Sequence, residues 1–170
     1  VLDVLIPMPG AIYIMDKAYV DFAALYNIHK SEAFFVSRAK EAMAYTVIDT
    51  NADIDSSTGL RSDRTVRLNG YKSKELYPEP LRLVEYYDDE KNVLLTFLSN
   101  NLTVSAMEIA TLYRSRWQIE VFFKWIKQNL TIKTLWGQSE NAVKTHVWVA
   151  ISTYLIVAYI KHILKSNLSI

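Results

Sequence analysis

The stretch "YRSRWQIEVFFKWIKQ", Tyr113 to Gln128, sets a tyrosine, two arginines, an acid and two lysines among large apolar residues. Its spacing predicts a helix. With Tyr113 at zero and about 100° per residue, Arg116, Glu120 and Lys127 fall at roughly 300°, 340° and 320°. Phe122, Ile126, Ile119, Leu112, Leu130 and Phe123 occupy roughly 180° to 280°. The polar four therefore border the apolar stripe instead of opposing it, so their stems sit at the rim of a core and line a groove. Two readings fit. Arg116 and Glu120 at i, i+4 are an ordinary ion pair, worth about 0.2–0.5 kcal/mol. The same arrangement is also a carboxylate flanked by cations, suited to a site that handles phosphate.

The charge around this stretch is uneven. The chain of 170 residues has a net charge of only +1, so bulk charge does not argue for nucleic acid. Yet between Thr111 and Gly137 the bases Arg114, Arg116, Lys124, Lys127 and Lys133 face a single acid, Glu120, while acids gather at Asp49 to Asp63 and Glu85 to Glu90. A locally basic helix in a near-neutral chain suits either a phosphate-facing surface or a solvated face. Cysteine is absent, which excludes disulfides and thiolate metal sites and fits a reducing cytosol. The length allows one domain with a sizeable core.

Upstream, "AIYIM", Ala11 to Met15, is a short apolar run after Pro and Gly, and predicts a buried strand ending at Asp16. Tyr19 to His29 has helical spacing, and Ala33 to Val36 predicts a second strand, followed by Arg38 and Lys40. Strand, helix, strand is an α/β rhythm. From about residue 45 to 100, four strand-like runs separated by turn clusters predict an antiparallel β segment, its last two strands paired as a hairpin around Asp88 to Asn92. The remainder reads as helical. Ser105 to Glu108, "SAME", has capping-box spacing, the periodicity runs on to about Leu130, and Ser139 is placed to cap a last helix reaching about Leu164. Within it, Val147 to Ile160 is apolar but short of the roughly 20 residues of a spanning helix, which predicts a buried core helix; a membrane-associated helix is the rival reading.

Asp16 stands at the carboxyl end of a strand, where α/β sheets place ligand sites, although an Asp after a strand is also an ordinary cap. One strand-end carboxylate with one helix carboxylate suits Mg²⁺, which takes a few carboxylates and keeps water or substrate oxygens in its other positions. Such ions support phosphoryl transfer.

With these residues in view, Tyr113-x2-Arg116-x3-Glu120-x6-Lys127 resembles the YREK signature of bacterial insertion-sequence transposases of the DDE type, the insertion-sequence-four family. "YIMDKAYVDF" is similar to that family's segment around its second catalytic Asp, "FFVSRAK" to the strand that follows, and "RWQIEVFFKWIKQNLTIK" to the stretch around the catalytic Glu. The resemblance implies an α/β, partial RNase H-like fold with a mostly antiparallel β insertion before the catalytic helix. Residues 1–44 would belong to the core, 45–100 to the insertion, and 101–170 to a helical completion of the core. It implies Asp16 and Glu120 as catalytic metal ligands, and Tyr113, Arg116 and Lys127 as contacts to phosphate and DNA ends, with Arg38 and Lys40 facing DNA backbone. Mg²⁺, with Mn²⁺ as substitute, would be the cofactor. Double-stranded element ends and target DNA would be partners of a cytoplasmic homodimer that uses no membrane. Trp117, Trp125 and Trp136 would either stack on an extruded base or pack in the core, and His29, His146 and His162 read as structural.

The family's first catalytic Asp lies on an early strand well upstream of Asp16, and Asp3 is too close to fill that role. Starting at Val1, the chain is therefore expected to be a fragment of the catalytic domain, without the amino-terminal DNA-binding region and with little activity alone. An inactive DNA-binding remnant and a related metal-dependent nuclease on the same fold are the alternatives.

Overall fold

In the computed structural model, which describes residues 2, 5–129 and 139–164, the chain forms two compact units, Val1–Arg116 and Trp117–Ile170. The first is built on a sheet. Strands β1 (Ile12–Met15), β2 (Phe34–Arg38), β3 (Tyr45–Thr50), β4 (Leu60–Leu68), β5 (Leu81–Asp88) and β6 (Val93–Ser99) lie in the order β1-β2-β6-β5-β4-β3. Only β1 and β2 are parallel; every other pair is antiparallel. The architecture is the mixed α/β one expected, and the strands after residue 45 continue the sheet that β1 and β2 begin.

Alternation along the strands builds two cores, because neighbouring residues point to opposite faces. On one face Phe35, Leu83 and Leu98 join Leu25 and Ile28 of α1 (Phe22–Lys30) and Tyr77, which follows the short α2 (Ser73–Leu76). On the other, Val36, Val84 and Phe97 join Ile109, Ala110 and Tyr113 of α3 (Ala106–Ser115). Strand β5 is covered on both sides, while β3, the outer strand, is exposed along most of its length.

Local signals act where they were read. Ser105 accepts from the Glu108 N–H at 3.1 Å and the Glu108 carboxylate accepts from the Ser105 N–H at 3.2 Å, completing the capping box of α3. Asp88 and Val93 close the β5–β6 hairpin, with Asn92 at φ 51°. Gly59 leaves a short 3-10 turn at φ 94°, where an added Cβ would meet the Tyr87 carbonyl at 2.8 Å.

The second unit holds α4 (Trp117–Asn129) and α5 (Glu140–Ile163), the latter capped by Ser139. Two expectations are corrected here. The stretch from Tyr113 to Gln128 is not one uninterrupted helix: α3 ends at Ser115 and α4 begins at Trp117. The apolar period continues through the break, so periodicity alone does not reveal it. Nor is α5 a buried core helix. Among its described residues only Ala150 is buried, and the helix that contains the apolar run is 24 residues long. By length and composition α5 qualifies as a membrane span. Its uncharged stretch from Val147 to Ile160, however, covers only about 21 Å, short of a hydrocarbon core of about 30 Å.

Candidate active site

Strands β1 and β2 run side by side, with Met15 opposite Ser37, so the next residues, Asp16 and Arg38, stand together at the carboxyl ends of two parallel strands. The Asp16 carboxylate is doubly engaged. One oxygen caps the following 3-10 turn by accepting from the Ala18 N–H at 3.1 Å. The other lies 3.9 Å from the Arg116 guanidinium, a loose ion pair whose carboxylate side is 41% exposed. Asp16 is thus both the ordinary cap and an accessible, cation-flanked carboxylate.

Arg116 reaches Asp16 because α3 ends there. Its guanidinium also lies over the Tyr113 ring, 5.6 Å from the centroid. Tyr113 is buried, and its ring packs on Phe97 at 4.9 Å between centroids. Burial pushes the Tyr113 hydroxyl above its ordinary pKa; the positive charge of Arg116 opposes this, Asp16 adds to it, and Arg38 opposes it weakly. Asp16, Arg38, Tyr113 and Arg116 therefore form one electrostatic cluster inside the first unit. The phenol stays protonated at neutral pH and is able to donate a hydrogen bond.

Lys40 has a different local task. Its ammonium donates to the Val20 carbonyl at 2.7 Å, tying the chain after β2 to the segment after Asp16. Arg38 and Lys40 line a cleft of about 210 Å³ together with Glu41, Tyr45, Glu85 and Thr96.

In the second unit, Glu120 lies in the first turn of α4 and Lys127 in the last. Seven residues apart, they share a face of that helix, and with Phe123, Lys124 and Gln128 they border an open groove of about 480 Å³. Trp125 is half-buried and meets Tyr154 of α5 edge-on at 5.2 Å, a packing role, whereas Trp117 is 55% exposed. Trp136 and Asp3 lie outside the described residues. His29 is a structural histidine: its Nδ1 lies 2.8 Å from the hydroxyl of the fully buried Tyr77.

Sequence reasoning missed the buried pair Arg82–Asp63. Arg82 on β5 donates from Nε and Nη2 to the two carboxylate oxygens of Asp63 on β4, at 2.7 and 2.8 Å. Both residues are buried. The signal was present: each charge interrupts a strand run, and the β4–β5 register puts the two on one face, with Asp63 opposite Val84 and Thr65 opposite Arg82.

A family model described as the transposase DDE domain matches residues 1–156. The chain belongs to the DDE transposase family. It is 36% identical over 151 residues to a putative transposase, y4zB, of Sinorhizobium fredii (strain NBRC 101917 / NGR234), a match covering 86% of this chain and 42% of that protein. It is 27% identical over 150 residues to a probable transposase for insertion sequence element IS5377 of Geobacillus stearothermophilus, covering 88% of this chain and 39% of the relative. A shorter match, 40% identical over 53 residues, links 31% of the chain to 16% of a putative transposase for insertion sequence element IS4SA of Synechocystis. The chain thus spans about two fifths of the length of the first two of these transposases.

Proposed function

We propose that this chain supplies part of the catalytic domain of an insertion-sequence transposase that cleaves DNA at the ends of its element and joins those ends to target DNA. The single observation that carries the reading is the Asp16–Arg116 contact: the end of α3 brings the Tyr113 and Arg116 half of the signature to a strand-end carboxylate. The signature spacing also supports membership of the insertion-sequence-four group.

In this reading Asp16 and Glu120 hold divalent metal, Mg²⁺ by preference with Mn²⁺ as a substitute. The donors suit a hard cation. Asp16 offers an accessible carboxylate whose ion pair with Arg116 is loose, and Glu120 is half-buried on a helix bordering open space. Mg²⁺ keeps several waters and is commonly held by one or two carboxylates plus substrate phosphate. When bound, the metal supplies charge stabilisation and an activated oxygen nucleophile for in-line displacement. The chain's own residues do the rest. Arg116 shares its charge between Asp16 and an incoming phosphate. Tyr113 donates a hydrogen bond to a phosphate oxygen. Arg38, at the neighbouring strand end, and Lys127, on the Glu120 face of α4, neutralise backbone phosphates, with Lys40 beside Arg38. A homodimer that pairs two ends, acting in the cytoplasm on element and target DNA without a membrane, completes the proposal.

The test is Mg²⁺-dependent strand transfer on matched element ends, comparing this chain with a full-length transposase that contains it. Glu120→Ala in the full-length protein is expected to abolish transfer while salt-sensitive DNA binding persists. Binding without transfer in every form of the protein would favour the inactive remnant instead.

A further inference from the structure

The buried Arg82–Asp63 pair does more than fill a core. Arg82 has a third nitrogen, Nη1, which donates to the Val104 carbonyl and lies 3.4 Å from the Asn101 carbonyl. Those carbonyls sit on the connector from β6 to α3, immediately before the Ser105 cap. The connector is fixed from its other side as well. The Asn101 side chain accepts from the Thr103 and Val104 N–H groups at 3.0 and 3.1 Å, and the Ser99 hydroxyl donates to the Phe35 carbonyl of β2 at 2.6 Å. Asn51 donates to Asp63 at 3.1 Å, extending the network to the outer end of the sheet. A rigid guanidinium fork thus couples strands β4 and β5 to the connector that leads into α3, and α3 delivers Tyr113 and Arg116 to Asp16.

A buried ion pair is a poor stabiliser compared with apolar residues of the same size. The remaining Nη1 of a buried guanidinium needs an acceptor, and here the acceptors are carbonyls of the connector into α3. We infer that Arg82, oriented by Asp63, is a positioning residue: it sets where α3 starts and thereby where Tyr113 and Arg116 meet Asp16. This rests on the reading of Tyr113 and Arg116 as contacts to DNA at the reacting end. A displacement of about 1 Å at such contacts costs on the order of a hundredfold in rate.

The experiment uses a full-length transposase containing this chain. The double variant Asp63→Leu/Arg82→Met replaces the pair by apolar side chains, an exchange often neutral for stability, and removes the tether to Val104. Single-turnover cleavage at saturating element-end DNA is expected to fall about tenfold to a hundredfold with the thermal midpoint maintained, and amide exchange across Ala106–Ser115 is expected to accelerate while β5 stays protected. Arg82→Lys, which keeps the charge opposite Asp63 but loses the fork, serves where the double variant does not fold, and is expected to lose cleavage with little loss of DNA affinity. Wild-type cleavage in a folded variant, or α3 exchange unchanged from wild type, would overturn the inference. An Asp16→Ala control that still cleaves would sink the reading of the site instead, while the exchange data would continue to judge the tether.

Discussion

The same residue types meet opposite fates in the two units. Val36, Val66 and Val84 are fully buried in the sheet-bearing unit, while in the helical unit Val147, Val149 and Leu155 are 46%, 57% and 59% exposed. The sheet unit makes its own inside, because alternation gives each strand two faces and α1 and α3 cover one each. Among the described residues the helical unit has two helices, which meet through Phe122, Trp125 and Tyr154. Apolar sequence is thus a sufficient guide to burial only where the unit contains enough layers to cover it.

Deep truncation in the sheet is the strongest way to break this contrast. Phe35→Ala removes a fully buried ring next to Tyr77 and is expected to destabilise the chain by about 3–5 kcal/mol in urea denaturation. A loss below about 1 kcal/mol would mean that the two-sided core is not the main support.

Asp63→Ala comes next, with an expected cost of about 3 kcal/mol or more, since it leaves the buried Arg82 unpaired. Burial raises the Asp63 pKa, but the Arg82 and Asn51 hydrogen bonds and the Arg82 charge outweigh this and hold it below the ordinary 3.8. The folded pKa is therefore the lower one. The Asp63 contribution is fully present above the unfolded value and is lost as pH falls through the folded value. Stability of the wild type is expected to drop more steeply below about pH 4 than that of Asp63→Leu/Arg82→Met. Parallel acid profiles would remove Asp63 from the account.

Smaller effects sharpen the contrast. Ser105→Ala deletes the capping box that starts α3 and is expected to cost about 1 kcal/mol. Leu155→Ala, on the exposed side of α5, is expected to stay within about 0.5 kcal/mol. A large loss at Leu155 would show that α5 is covered in solution. Amide exchange supplies the same comparison without mutation: β5 is expected to be among the slowest segments and α5 among the fastest.

What the sequence made legible follows from how local each signal is. The β5 strand, the hairpin at Asp88 to Asn92 and the caps at Ser105 and Ser139 depend on a few adjacent residues, and each appears as read. The placement of Asp16 and Arg38 was half legible: both were identified as following strands, but only the parallel pairing of β1 with β2 puts them together. The break at Arg116 was hidden because both flanking helices carry the same apolar period. Arg82 escaped because its partners, Asp63, Asn101 and Val104, come from three separate places in the chain. The burial expected of Val147 to Ile160 failed for the reason already given, that hydrophobicity says what a helix prefers and not what is available to cover it.

The most direct test of the central claim is Mg²⁺-dependent cleavage of element-end DNA by the full-length transposase carrying Asp16→Asn, with DNA affinity measured on the same sample. This substitution preserves size, keeps an oxygen for the Ala18 cap, and removes the charge and the second oxygen. Cleavage is expected to fall to background with binding intact. Cleavage at the wild-type rate would contradict that claim and return Asp16 to the role of a simple cap.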